Sequence, residues 1–262
     1  IAGLFTTIDF PWGGYAGLIV LLLIGAYASY RNLREPPVVG QPLFKGITGS
    51  SLKLFTYDVR ANATFSRLLV ARFVFFLGFV SIQRFLLNFL SDVLGLQHPG
   101  AWAAGILVLA TVVGIVGALT AGSLVDRLGR RRVAFVAAVI AAVYLLPLGI
   151  FPNLYLMLAL GAVLGLAGGA FAASTWAFLA DEIPKGESAR FYGIANYATA
   201  GAGALGAGIF GVMIDVLNGW KYIAGYRALI LVSASLLVVC LPILPPERPT
   251  QNREDAEVPT GE

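Results

Sequence analysis

Seven apolar stretches, each close to 20 residues or longer, dominate this chain of 262 residues. They cover about 12–30, 69–91, 101–124, 133–151, 154–180, 191–215 and 224–244. A helix needs roughly 20 mostly apolar residues to cross the hydrocarbon of a bilayer. Hydrophobic residues make up 58% of the chain and charged residues only 12%, whereas soluble domains carry about 25% charged residues. The sequence therefore predicts an all-α, polytopic membrane protein.

The connections between these stretches differ greatly in length. A polar segment at 31–68 separates the first stretch from the second, whereas the other six follow one another closely. Two prolines and a charged run end the chain. We predict four units: a preceding transmembrane helix with a short outer segment (1–30), a central loop (31–68), a six-helix bundle (69–244) and a tail (245–262).

Basic residues are sorted to one side of the predicted membrane. If crossings alternate, fifteen of the 18 Lys and Arg residues fall on the side of the central loop. Seven of these precede the second stretch or begin it, from Arg31 to Arg72. The opposite side has only Lys221 and Arg227, and Arg84 lies within a stretch. Because cytoplasmic loops carry an excess of Lys and Arg, we predict a multi-pass protein of the cell membrane with loop 31–68 and the tail in the cytoplasm.

Reactive side chains are scarce, which excludes several chemistries. A single Cys (Cys240) and a single His (His98) allow no disulfide within the chain and no Cys/His metal cluster. A serine protease would need a His within the stretches, and His98 lies in a loop. An aspartyl protease would need two intramembrane aspartates, and Asp92 and Asp215 lie near the ends of their stretches. We expect no enzyme, no cofactor, no metal and no nucleic-acid partner.

One short connection combines glycines with charges at close spacing. Its members are Gly122, Asp126, Arg127, Gly129, Arg130 and Arg131. The glycines permit close helix approach and a tight turn, and arginines can pair with acidic groups of adjacent loops. A carboxylate at this helix end can accept hydrogen bonds from a neighbouring helix N-terminus. The alternative is a short loop whose basic residues only fix the orientation.

This pattern, G-x-x-x-D-R-x-G-R-R between two apolar stretches, resembles the signature loop of the major facilitator superfamily of transporters. A second segment, Asp181-Glu182-Ile-Pro184 followed by Arg190, is similar to another loop of such transporters. The resemblance implies that Asp181 or Glu182 pairs with the arginines of the first loop and closes a cytoplasmic gate. The alternative for this second segment is ordinary loop charge.

The resemblance also implies which part of a transporter this chain represents. One helix, a long basic loop, six helices and a tail match helices six to twelve of the superfamily's twelve. Helices one to five would then lie outside this chain, which begins at Ile1 without a Met. Two alternatives are that 69–244 is the first half with an extra helix before it, or that the chain is a half-size unit that dimerises.

Arg84 is an ionisable residue that lies well inside the predicted span 69–91. Such residues are costly in lipid and usually functional. Gln83 precedes it, and Asn88 follows one helical turn later on the same face. By resemblance this helix lines the central cavity, and Arg84 would bind substrate or pair with an acidic group of the other half. The alternative is a side chain that extends to the outer headgroups.

Two glycine-rich stretches supply the remaining cavity candidates. Trp176 lies in 154–180, and Asn196 and Thr199 lie in 191–215. These groups can offer hydrogen bonds or aromatic contacts to a solute. The glycines of both stretches are expected to let helices approach closely.

The resemblance implies secondary active transport of a small solute by alternating access. The run from Phe191 to Asn196 is similar to sugar:cation symporter branches, with drug or metabolite efflux as the alternative. The implied partners are membrane lipid, a small solute, a coupling cation and either the missing N-terminal helices or a partner half. Because no strong carboxylate appears within these stretches, a proton-coupling residue would belong to the missing half. A non-transporting scaffold or receptor remains the alternative function, because fold does not fix function.

Overall fold

The computed structural model describes residues 11–32, 57–183 and 187–246. Within these ranges the chain forms eight helices: α1 (Pro11–Asn32), α2 (Ala63–Arg84), α3 (Leu86–Asp92), α4 (Pro99–Leu128), α5 (Arg130–Ile150), α6 (Leu154–Glu182), α7 (Ser188–Trp220) and α8 (Ala224–Ile243). Six of them, α2 and α4 to α8, are long and apolar enough to cross a membrane. The predicted all-α, polytopic membrane fold is confirmed. Pro184, Lys185 and the predicted tail beyond 246 lie outside the described residues.

The second predicted stretch, 69–91, differs in its boundaries and continuity. α2 begins at Ala63, inside the predicted central loop, and is separated from α3 at Phe85 (φ −96°, ψ 8°). Ser81 donates its hydroxyl to the carbonyl four residues before it at 2.6 Å. Bonds of this kind often bend helices. Arg84 and Asn88 therefore lie on two helical segments rather than on one continuous helix.

The six long helices form one bundle through successive pairs. α4 packs along α6, α6 along α5, α5 along α8, and α8 along α2. α7 packs against both α2 and α8. Direct contact between α2 and α6 is confined to a shorter part of the two helices. The short α3 packs against α4.

Glycines bring α4 and α6 into backbone contact. A Cβ atom added at Gly165 would overlap the backbone carbonyl of Ala110, and one at Gly169 would overlap that of Gly114. Gly117 of α4 faces the backbone of α6 in the same way. Small residues allow this approach, on which helix association in lipid depends. The close contact between α4 and α6 therefore depends on glycine at these positions.

The glycines of α7 behave differently from those of α6. A Cβ atom added at Gly206 would overlap the hydroxyl of Ser81 on α2. At Gly193, Gly201 and Gly208, an added Cβ would meet open space in the described part of the chain. The expected close approach is thus seen along α6 but at few positions of α7.

No other described helix packs over α1. Every α1 side chain that the structure describes is exposed, including Leu21 at 67% and Leu22 at 61%. Its described apolar segment, Ile19–Arg31, is shorter than a membrane span. The seventh crossing therefore stays a prediction.

We predict that Gly165→Ala destabilises the bundle by about 1–3 kcal/mol, the usual cost of an overpacked core. The new methyl group would meet only backbone atoms of Ala110, which cannot rotate away. Gly105→Ala, in α4, is the matched control because its Cβ would meet open space. The free energy of unfolding, measured in mixed micelles, should fall for Gly165→Ala alone. Equal values for both variants would contradict the importance of this contact.

Candidate functional site

A buried arginine lies where α2, α6 and α7 meet. Arg72 is only 1% exposed. Its Nη1 donates to the hydroxyl of Thr175 on α6, and its Nη2 donates to that of Thr199 on α7 at 3.4 Å. The guanidinium carbon lies 4.4 Å from the ring centre of Trp176 and 5.2 Å from that of Phe76. One side chain on α2 therefore contacts both α6 and α7.

The position of Arg72 follows from the pattern of α2. Arg72, Phe75 and Phe79 are spaced at i, i+3 and i+7, so they share one helical face. Phe75 stacks on Phe171 of α6 with ring centres 3.6 Å apart, and the ring of Phe79 lies against Gly168. Leu68 and Phe65, both buried, continue this stripe toward the start of α2, so Arg72 lies within an otherwise apolar helical face.

The two threonines can accept from Arg72 because their own protons are already used. The Thr175 hydroxyl donates to the carbonyl of Phe171 at 2.7 Å, and that of Thr199 donates to Ala195 at 3.2 Å. Each oxygen then has a lone pair for the guanidinium. The Nε of Arg72 has no hydrogen-bond partner among the described residues. Its charge is thus held by hydroxyl dipoles and aromatic faces.

No described carboxylate forms an ion pair with Arg72. Burying a charge without an opposite charge is costly, and ionisable groups in spans usually have a function. Arg72, counted above with the basic residues of the loop side, is instead a buried member of the bundle. The burial of Arg72 was not predicted from the sequence. The pattern that indicates it is the helical face that Arg72 shares with the apolar Phe75 and Phe79.

The predicted cavity residues fall into two groups. Trp176 and Thr199 surround Arg72, and Asn196 lies exposed nearly one turn before Thr199 on α7. Arg84 is twelve residues from Arg72 along α2, or about 18 Å along the helix axis. The structure therefore does not bring Arg84 to the Arg72 site.

The residues around Arg84 point in different directions. Arg84 and Asn88 are exposed, whereas Gln83 is half-buried and lines a void of about 30 Å³ beside α4 and α6. The carboxylate of Asp92, the last residue of α3, accepts a hydrogen bond from Tyr226 of α8. Arg84 itself thus remains a candidate with an exposed side chain.

An ion pair joins the start of α5 to the end of α6. Arg130 and Asp181 contact each other, with side-chain exposures of 35% and 48%. Gly129 is the single residue between α4 and α5, and its φ of 90° favours glycine. A cation at a helix N-terminus and an anion at a C-terminus both oppose the helix dipoles, so each group offsets the other's unfavourable position. Because both are partly exposed, the pair contributes about 0.2–1 kcal/mol.

The other predicted gate residues belong to the same two loops but are not part of the Arg130–Asp181 ion pair. Four of them are exposed: Gly122, Asp126, Arg127 and Arg131. A Cβ added at Gly122 would meet open space, so the close approach expected there is absent from the described part of the chain. Arg190 pairs with Glu187 of its own helix turn at 2.8 Å. Glu182, next to Asp181, is half-buried.

Most of the six-helix bundle matches a known protein family. The family model for the Major Facilitator Superfamily matches residues 106–261, more than half of the chain. The chain belongs to the major facilitator superfamily. The superfamily match includes the Arg130–Asp181 pair, Trp176 and Thr199, whereas Arg72 precedes it.

Curated members of the superfamily share modest identity with this chain. The multidrug resistance protein MdtG of Serratia proteamaculans is 28% identical over 148 residues, which cover 56% of this chain and 34% of the relative. The glucose transporter GlcP of Staphylococcus epidermidis is 30% identical over 142 residues, covering 54% of this chain and 31% of the relative. The matched part thus spans about a third of the length of these relatives.

We predict that Arg72→Met raises the free energy of unfolding by about 1–3 kcal/mol, because methionine fills much of the same space without a buried charge. Thr175 keeps its bond to Phe171 in this variant. Arg84→Met is the matched control, since Arg84 is exposed on the same helix and should gain less. Unfolding in mixed micelles measures both. A loss of stability in Arg72→Met would mean that Arg72 is primarily a structural residue.

Proposed function

We propose that this protein takes part in secondary active transport of a small solute across the membrane, by alternating access. Membership of the major facilitator superfamily over residues 106–261 carries the proposal. In this proposal α2 to α8 form one half of the transporter. Further helices, from the same polypeptide or a partner half, complete the pathway and cover α1, whose described side chains are all exposed.

The proposed solute site lies along the edge between α6 and α7, which Arg72 of α2 bridges. Trp176 is half-buried and Asn196 is exposed, so both can reach a solute beside the bundle. Arg72 lies behind them and acts as a positioning residue: it holds Trp176 by a cation–π contact and Thr199 by a hydrogen bond. Arg84 and Asn88, both exposed, are proposed to line the same pathway nearer the other membrane face, whereas Gln83 borders the void beside α4 and α6.

The proposed substrate is a sugar or another polar metabolite, moved with a coupling cation. The similarity to GlcP supports a sugar, and the similarity to MdtG supports a drug as the competing substrate class. The described carboxylates within α2 to α8 lie at or near helix ends. A carboxylate that binds the coupling cation would therefore belong to the helices that complete the transporter.

The Arg130–Asp181 pair is proposed to act as part of a cytoplasmic gate. Asp126, Arg127, Arg131, Glu182 and Arg190 belong to the same two loops, with Gly122 and Gly129 setting their backbone. A partly exposed ion pair is weak, so it can break and form again during each cycle. The loop side is proposed to face the cytoplasm because most basic residues lie there.

We expect the full-length protein, reconstituted into proteoliposomes, to take up radiolabelled glucose faster when a proton gradient is imposed. A fluorescent cationic dye serves as the competing substrate, and empty liposomes serve as the background. Arg72→Met should fold and yet show little uptake, because Trp176 loses its cationic partner. No uptake of either compound by the wild type would favour a scaffold or receptor over a transporter.

We predict that Asp181→Asn lowers uptake several-fold. Arg130 then lies at the positive N-terminal end of α5 without its carboxylate partner. The exchanged pair, Arg130→Asp with Asp181→Arg, should restore uptake, since both new charges also agree with the helix dipoles. Glu187→Gln breaks a pair within one turn of α7 and is the control that should keep uptake near wild type. Failure of the exchanged pair to recover would contradict the gate.

A further inference from the structure

A groove separate from the Arg72 site lies between α4, α5 and α6. Its volume is about 530 Å³, within the range of roughly 300–1,000 Å³ that ligand sites occupy. Apolar side chains of three helices line it, among them Leu124, Phe135 and Leu166, and Arg131 and Arg132 lie at one end. The groove thus combines a hydrocarbon wall with a strongly basic end.

The apolar part of the groove gives a polar solute little to bind. Thr120 is the one uncharged polar side chain that lines it in the described part of the chain. The proton of its hydroxyl is already directed at the carbonyls of Val116 (2.9 Å) and Gly117 (3.1 Å) of the same helix. The wall therefore suits an alkyl chain.

The length of the groove matches one leaflet of a bilayer. On α5 its lining extends from Arg131 to Ile140, nine residues apart, which is roughly 13 Å along the helix. The hydrocarbon of a bilayer is about 30 Å thick, so the groove reaches from the headgroup level to near the mid-plane. Arg131 and Arg132 are exposed at the headgroup end.

We propose that this groove binds an anionic phospholipid, with one acyl chain along α5 and the phosphate on Arg131 and Arg132. Guanidinium groups bind phosphate oxygens in a bidentate manner. No carboxylate lines the groove among the described residues, so the cationic headgroup of a zwitterionic lipid finds no partner there. Arg131 follows Arg130 in the sequence, and Arg130 pairs with Asp181, so the phosphate would bind close to this ion pair. The site is separate from the proposed solute site.

The test is native mass spectrometry of the purified full-length protein in mixed micelles that contain phosphatidylglycerol and phosphatidylcholine with identical acyl chains. We expect phosphatidylglycerol to be retained over phosphatidylcholine by about 30-fold, the preference that two arginines near an anionic lipid provide. In Arg131→Gln/Arg132→Gln the preference should fall to near one. The double variant Arg60→Gln/Arg67→Gln is the matched control: both residues are exposed near the start of α2, and its preference should remain.

A second variant tests the groove itself. Val136 lines it and is 53% exposed, so Val136→Trp fills the space from the lipid side without disturbing the core. Retention of both lipids should fall at least severalfold. Three results overturn the proposal: equal retention of the two lipids by the wild type, unchanged retention in Val136→Trp, or a dimer without bound lipid, which would mean that protein covers the groove.

Discussion

The bundle depends on close packing, because burying apolar side chains against each other gains little when the surrounding lipid is equally apolar. The contact between α4 and α6 meets this requirement most directly. Gly165 lies against the backbone of Ala110, and Gly169 against that of Gly114. A methyl group at these points would push two backbones apart. α5 packs on α6, and α8 in turn connects α5 to α2 and α7.

Within this bundle, the charges fall into two physically different kinds. Arg130 and Asp181 are partly exposed at helix ends, where each offsets the other's unfavourable position in a helix dipole. Arg72 is buried and holds α6 and α7 through Thr175 and Thr199 without a described carboxylate. The first arrangement is weak and reversible. The second is costly for stability, which is the usual mark of a residue kept for function.

Hydropathy and length were sufficient to predict the helical membrane fold, and six of the predicted stretches correspond to helices long and apolar enough to cross a membrane. The resemblance to the superfamily's loops implied that Asp181 or Glu182 pairs with the arginines of the first loop, and Asp181 does contact Arg130. The role of Arg72 could not be obtained by counting basic residues, because its burial depends on α6 and α7, which lie about 100 residues or more away along the chain. The break at Phe85 was missed because hydropathy is continuous across it.

α6 takes part in the Arg72 site, the ion pair, the α4 contact and the groove. Thr175 and Trp176 hold Arg72, Asp181 pairs with Arg130, Gly165 touches α4, and Leu166 lines the groove. These contacts extend from 165 to 181, about 24 Å of one rigid helix at 1.5 Å per residue. A shift of α6 relative to both α5 and α2 would strain the ion pair, the Arg72 contacts and the groove wall together. Because closely packed helices have few intermediate arrangements, such a shift would connect the proposed solute site to the Arg130–Asp181 pair.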